Sequence, residues 1–339
     1  LNSSNKIRLY LNNGNDTFGI EIPVTDIPLS VGQILVSDLS GDGYPDVVAL
    51  EKGKQRILGW KWNNDKSNFL PLVTDGNSSE VHVPITNDFD MDLLHIADLN
   101  TDGLLDILID ANGSSRLSWI ENLGQSNFAK TSHVILSDLN YSNPIHAIDT
   151  GDINGDGRVD ILLATDDGIS IMENDKGLFS EMVFIYNDTN GYPYSIKGVH
   201  LDNDDRLDLV ASFDRSNLGL QSVSAVLLNT ATNSFTIKTD FGEGNLVNSF
   251  EAKDLDNDGH MDLMAISNDG YLQFFSNSGN GVMAPVGNKL TSGIGVIYSA
   301  KFANFDNRLD DIQFSVSGGK DRDLFEFRPN FSSHLWFKQ

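Results

Sequence analysis

Short runs in which apolar and polar residues alternate recur along the whole chain. The clearest set ends each time in Asn: IRLYLN at Asn12, LGWKWN at Asn63, LSWIEN at Asn122, ISIMEN at Asn174, SAVLLN at Asn229, LQFFSN at Asn277 and FEFRPN at Asn330. A period of two marks a strand with two unlike faces. The position three before each Asn holds Leu9, Trp60, Trp119, Ile171, Val226, Phe274 and Phe327, an inward column. The Asn itself suits a turn, because it tolerates positive φ and bonds its own backbone. A second set of runs is apolar on both faces: DVVAL, DILI, DILLA, DLVAS and DLMAI. Such strands must be covered on both sides. No stretch has a helical period, and glycine punctuates the chain every few strands.

An acidic segment precedes each doubly apolar strand. DLSGDGYPD (38–46), DLNTDGLLD (98–106), DINGDGRVD (152–160) and DLDNDGHMD (254–262) share one nine-residue pattern. HLDNDDRLD (200–208) is a damaged copy and NFDNRLD (304–310) a shortened one. Their first positions set a period of 48 to 60 residues, which fits blades of a β-propeller and is too long for leucine-rich or ankyrin units. Each full unit reads as four short strands, as in IHAIDTG, VDILLATDD, GISIMEN and LFSEMVFIYN. An all-β sandwich has no reason to repeat a loop at this spacing. The first strand-plus-Asn unit, near 6–25, lacks the loop half.

The loop pattern is that of a hard-cation site. Calcium takes six to eight oxygens at about 2.3–2.6 Å. Side chains at positions 1, 3 and 5 point inward when the chain curls, and Gly at 6 permits the turn. Position 7 offers a backbone carbonyl, and the acid at 9 closes the cage. The expected side-chain donors are Asp38, Ser40, Asp42 and Asp46; Asp98, Asn100, Asp102 and Asp106; Asp152, Asn154, Asp156 and Asp160; and Asp254, Asp256, Asp258 and Asp262. The expected carbonyl donors are Tyr44, Leu104, Arg158 and His260. Clustered carboxylates are costly without a counter-ion. Magnesium suits an all-protein cage less well, because it prefers to keep its waters. In the damaged copy, His200 replaces the first Asp and Asp205 the Gly. Imidazole is a poor ligand for a hard ion. Asp202, Asp204, Asp208 and the carbonyl of Arg206 leave a fifth, weaker site there. The copy at Asn304 is about two residues short and is not expected to bind. The chain is thus read as holding four calcium ions, with a fifth conceivable.

The loop DxDGDGxxD, the apolar strand after it and the WxEN-type strand (WIEN, Trp119 to Asn122) together resemble the FG-GAP/VCBS repeat family. Integrin α-like propellers and secreted bacterial and fungal propellers belong to that family. The resemblance covers nearly the whole chain. It implies an all-β, calcium-stabilised β-propeller with a structural ion between the first two strands of a blade. Counting Asn-terminated strands gives seven blades, six of them full and beginning near 31, 91, 145, 194, 247 and 297. A six-bladed ring with an appended hairpin at 6–25 is the alternative. Residues 1–339 then form one propeller domain.

Charge and composition narrow the function. The chain has 339 residues, 48 acidic against 23 basic, a formal net charge of -25 and no cysteine. A surface this acidic repels phosphate backbones and anionic headgroups, so neither nucleic acid nor a membrane surface is an expected partner. Absence of cysteine removes disulfides, thiolate metal sites and thiol nucleophiles. No run of 18 apolar residues appears, so no membrane insertion is expected. The chain opens at Leu1 without a basic and apolar leader, which fits a mature, trimmed or cytosolic protein. There is no GxSxG, HExxH or P-loop, and the seven His share no repeated column.

These observations point to a non-catalytic, extracellular binding module for adhesion or for glycan or protein recognition. Calcium sites of extracellular modules have Kd of about 10⁻⁴–10⁻³ M, and such sites would stand empty in the cytosol. Two other readings stay open: a polysaccharide lyase or dehydratase, and a structural subunit of a larger chain or surface assembly. Ligand contacts are expected on the longer connections, 64–90, 184–195 and 213–222. Tyr192 and Tyr194 in the second of these, and Trp62 on the freer face of its strand, are the candidate ligand-binding residues.

Overall fold

The computed structural model describes residues 7–13, 18–25, 31–51, 56–63, 68–72, 80–81, 91–111, 116–129, 131–136, 143–186, 191–231, 234–241, 244, 246–291, 296–303, 311–317, 324–328 and 336–337. The architecture is an all-β β-propeller. Among the described residues, helical structure is limited to one 3-10 turn at Ser216–Leu218.

Five sheets are four-stranded, with strands in sequence order except where a short hairpin intervenes. They are the second blade (91–136), third (145–186), fourth (192–241), fifth (247–291) and sixth (296–337). The first blade (31–81) carries a fifth strand, Glu80–Val81, which pairs with Arg56–Trp62. Arg8–Asn12 and Phe18–Pro23 pair with each other as a two-stranded sheet. The expectation of seven blades is therefore corrected: the described strands form five four-stranded blades and the five-stranded first one. The amino-terminal pair is too short to make another, and it saturates its apolar side differently. Ile7 and Val24 pack against Val47, Ala49, Leu58 and Trp60 of the first blade.

The doubly apolar runs form the second strand of each blade. Asp46–Glu51, Asp160–Thr165 and Asp262–Ser267 are buried at every position. Each such strand sends alternate side chains to opposite sides. Val47 and Ala49 meet the amino-terminal pair, while Val48 and Leu50 meet Leu94, Ile107 and Ile109 of the second blade. Burying a Val, Leu or Ile is worth about 1.5–3 kcal/mol, so this interleaving supplies most of the driving force. In the inward column Trp60, Trp119, Ile171, Val226 and Phe274 are core, while Leu9 of the amino-terminal pair is partly buried. A bulge recurs two residues into the first strand of five blades, at Val31/Gln33, Met91/Leu93, Pro193/Ser195, Val247/Ser249 and Ile297/Ser299. Bulges raise local twist.

The chain divides into two compact units. One comprises Leu1–Leu11, Phe18–Ile145 and Glu173–Glu181, with the first two blades and the hairpin Asn174–Asp175/Leu178–Phe179. The other comprises Asn12–Thr17, His146–Met172 and Met182–Gln339, with the rest.

The Asn column turns the chain and does more: Oδ1 of Asn122, Asn174 and Asn277 accepts amides of the turn that follows, at Gly124, Gly177 and Gly279. Asn122, Asn174, Asn229 and Asn277 are buried, and none has a positive φ. Each sends its Nδ2 into the acidic loop of the preceding blade, at position 2. Asn122 donates to the Leu39 carbonyl (2.8 Å), Asn174 to Leu99 (2.7 Å), Asn229 to Ile153 (3.1 Å) and Asn277 to Leu201 (2.8 Å). Asn122, Asn229 and Asn277 also donate to position 8 of their own loop, at Leu105, Leu207 and Met261. The column is a blade-to-blade clamp.

Candidate metal centre

Each acidic loop joins the first and second strands of its blade. The Asp at position 9 begins the second strand and pairs across to the last residue of the first, as in Ser37 with Asp46 and Ala97 with Asp106. That places it in the core: Asp46, Asp106, Asp160, Asp208 and Asp262 are all buried. One of its oxygens accepts the position-2 amide, at Leu39, Leu99, Ile153, Leu201 and Leu255, over 2.8–3.1 Å. The other accepts an amide at or near the end of the third strand, at Trp62, Asn122, Asn229 and Asn277.

The rest of the loop is organised around position 1. Asp38 Oδ1 accepts the amides of Gly41 (2.8 Å) and Asp42 (3.1 Å), and its Oδ2 that of Gly43 (2.8 Å). Asp152 repeats all three contacts with Gly155, Asp156 and Gly157. Asp98 and Asp254 take the amides at positions 5 and 6. Position 3 accepts the position-5 amide through Asn100, Asn154, Asp202 and Asp256. Position 5 accepts the position-7 amide in all five described loops. The inward turn of positions 1, 3 and 5 is thus built by the backbone itself. A carboxylate oxygen has two lone pairs, so one amide bond leaves capacity for a cation.

Two left-handed residues make the curl. Position 6 has φ of +83° at Gly43, +86° at Gly103, +82° at Gly157 and +91° at Gly259. Position 4 is left-handed too, at Gly41 (+74°), Thr101 (+60°), Gly155 (+77°) and Asn257 (+61°). Position 4 escaped notice in the sequence because its residue type varies. The signal lay in Gly and Asn recurring there. Thr101 is β-branched, and holding it left-handed costs on the order of 1–3 kcal/mol.

The donor set fits a hard divalent ion. One oxygen from each of Asp254, Asp256 and Asp262 lies within 4.8 Å of the others, and the same holds for Asp202, Asp204 and Asp208. Donors bound at about 2.3–2.6 Å would have to lie about that close. In the other loops position 3 is Ser40, Asn100 or Asn154, a neutral oxygen donor. Ser40 Oγ is buried without a partner of normal hydrogen-bond geometry, although it lies near enough to Asp46 to help hold down that carboxyl. Burial pushes the carboxyls of Asp46, Asp208 and Asp262 up, against the amides that bond them. Asp106 is pushed up to about 6, by burial first and by its neighbours Asp102 and Asp98 as well. A cation among these groups would reverse that cost. The loop at 304–310 lies outside the described residues.

The candidate ligand-binding residues part company. Trp62 is only 6% exposed and packs edge-on against Phe69 at 4.7 Å, so it offers no free ring face. The alternation that suggested a freer face fails because an outer strand, Phe69–Pro71, covers it. Tyr192 and Tyr194 are half-buried on the first strand of the fourth blade. Tyr192 lies 4.7 Å from the His146 ring and donates its hydroxyl to Asp214 at 3.1 Å. His146 in turn meets Asp166 at 2.7 Å. The signal that missed His146, Asp166 and Asp214 is that they come from three separate segments. This group sits at the strand ends remote from the acidic loops.

The FG-GAP-like repeat model matches residues 98–163, 152–211, 200–265 and 254–310. No curated protein matches. Among solved structures, a lectin of Agrocybe aegerita is similar at 20% identity and a TM-score of 0.58, over 83% of this chain and 74% of that one. Its structure concerns recognition of non-reducing terminal N-acetylglucosamine. BBS1N, solved in complex with ARL6DN, is similar at 12% identity and a TM-score of 0.57, over 94% and 83%. A protein from Lactobacillus plantarum is similar at 11% identity and a TM-score of 0.59, over 94% and 87%.

Proposed function

Because the chain belongs to the FG-GAP-like repeat family, we propose that it is a calcium-stabilised, non-catalytic binding module that works outside the cell. The observation that carries the calcium part is the four-fold repetition of one loop conformation. Each intact loop has left-handed residues at positions 4 and 6 and a buried position-9 Asp. The residues that would hold the ions are those of the loops at 38–46, 98–106, 152–160 and 254–262. The carbonyls of Tyr44, Leu104, Arg158 and His260 would complete the shells. When bound, the ion supplies charge neutralisation and a cross-link between the first two strands. Each ion bound only by the folded state adds about 2.7 kcal/mol when free calcium is 100 times Kd.

Recognition is assigned to the opposite strand ends, where Tyr192, Tyr194 and His146 present ring surface beside Asp166 and Asp214. Aromatic faces with polar edges suit sugars and peptides. A glycan is supported by the lectin among the structural neighbours, and a protein by BBS1N in its complex with ARL6DN. The test has two parts. Excess EGTA should lower the melting temperature by many degrees, and an unchanged value overturns the calcium assignment. A glycan array that includes terminal N-acetylglucosamine should show a ligand, and Tyr192→Ala should weaken its binding at least tenfold at unchanged calcium-dependent melting. A variant that binds as before removes the recognition assignment.

A further inference from the structure

The loop at 200–208 has the acids of a metal site, yet its backbone takes another path. Neither Asn203 at position 4 nor Asp205 at position 6 has a positive φ, whereas every intact loop has one at both places. Its three carboxylates still converge within 4.8 Å, but without those two left-handed residues the backbone takes a different course past them. Position 1 is His200, and its Nδ1 meets the Arg206 carbonyl at 2.9 Å. That carbonyl is the position-7 donor expected to face the ion. The imidazole contributes no carboxylate and takes up the carbonyl as well.

Other protein groups fill the gap. The Arg206 guanidinium pairs with Asp204 and donates its Nε to the Asn229 carbonyl at 2.7 Å. Arg158 makes a similar pair with Asp156 in an intact loop, so the guanidinium alone does not set the copies apart. The outward contacts also matter. Leu201 O accepts both Asn277 Nδ2 (2.8 Å) and the Gly281 amide (3.1 Å). Asn203 Nδ2 reaches the Gly279 carbonyl at 3.2 Å, and Asp202 forms a β-bridge with Asn280. The loop is thereby bonded to the hairpin of the fifth blade.

We infer that the 200–208 loop is a calcium-independent joint, held by His200, Arg206 and the hairpin 277–281, while the intact loops are held by ions. The inference rests on the calcium reading of the intact loops. Within the triad, Asp204 has its counter-charge in the Arg206 guanidinium.

The test compares two like positions. Asp202 and Asp256 both stand at position 3 of their loops. Calcium bound per chain, measured by elemental analysis of the folded full chain after desalting in calcium buffer, should fall by one in Asp256→Ala. It should not change in Asp202→Ala. A loss of one ion in Asp202→Ala overturns the inference. An unchanged count in Asp256→Ala overturns the calcium reading beneath it. A third protein, His200→Asp with Asp205→Gly, guards against misfolding of the others. It restores the first carboxylate and the position-6 glycine, leaves at position 4 an Asn like the left-handed Asn257, and should gain one ion. An unchanged count there overturns the inference.

Discussion

Asn277 spends every polar atom of its side chain. Its Nδ2 serves the Leu201 and Met261 carbonyls, and its Oδ1 accepts amides from Gly279, Asn280 and Gly281. Asn229 makes the same Nδ2 contacts, but its Oδ1 is buried with no partner. The reason lies in the chain that follows. Val223–Ala231 runs on into a long antiparallel pair with Ser234–Phe241, so no hairpin amide turns back. Removing a buried partner costs about 1–3 kcal/mol for each group orphaned. Asn277→Ala, which removes more contacts, should therefore destabilise by roughly 4–6 kcal/mol, and Asn229→Ala, which orphans two carbonyls, by less, roughly 2–3 kcal/mol. Urea unfolding of the two variants checks the order. Equal losses would mean that the Oδ1 contacts contribute nothing.

Among the short hairpins, Asn174–Asp175/Leu178–Phe179 shows how closely an element can be fitted. Gly177 has φ +86°, and a Cβ there would come 2.9 Å from the Trp119 ring. Trp119 itself is only 4% exposed and stacks on His133 at 4.5 Å, so it has little room to withdraw. Gly177→Ala should therefore cost about 1–3 kcal/mol, from backbone strain and from displacing the ring. Asn257, left-handed but exposed in its loop, should gain about 0.5–1 kcal/mol as Gly. Thermal melts of both variants in calcium test the pair. A neutral Gly177→Ala would mean that the hairpin shifts freely.

For the whole molecule, the buried position-9 acids predict how pH and calcium act together. Their folded pKa values lie above the ordinary 3.8, with Asp106 at about 6. A raised carboxyl destabilises the fold above its folded pKa, and the cost disappears as pH falls through that value toward 3.8. For Asp106 alone the cost is up to about 3 kcal/mol in the absence of a cation. The chelated protein should thus gain stability as pH falls from about 6 toward about 4. The calcium-loaded protein should lose it, because protons compete with the ion for the same oxygens. Melting temperatures measured in EGTA and in calcium should converge as pH falls. A constant gap would count against carboxylate ligation.

Much of this was legible in the residues alone. The acidic copies, the doubly apolar second strands and the Trp60 and Trp119 column come from spacing and from period two, which are properties of neighbouring residues. Fold class and candidate ion donors follow from the same local patterns. The tertiary structure decided what depends on distant partners. The Asn column became a clamp because each Asn finds a carbonyl 75 to 83 residues earlier in the chain. Trp62 went into the core because a separate strand covers it. Six acidic loops and seven Asn-ended strands left the blade count ambiguous, and pairing settled on five four-stranded sheets and a five-stranded one because Arg8–Asn12 pairs with Phe18–Pro23. Whether the 200–208 loop curls like its siblings was likewise undecided by composition, since Asp tolerates positive φ. Its contacts with the fifth blade's hairpin, and with Asn229 across its own sheet, are long-range bonds that no nine-residue pattern contains.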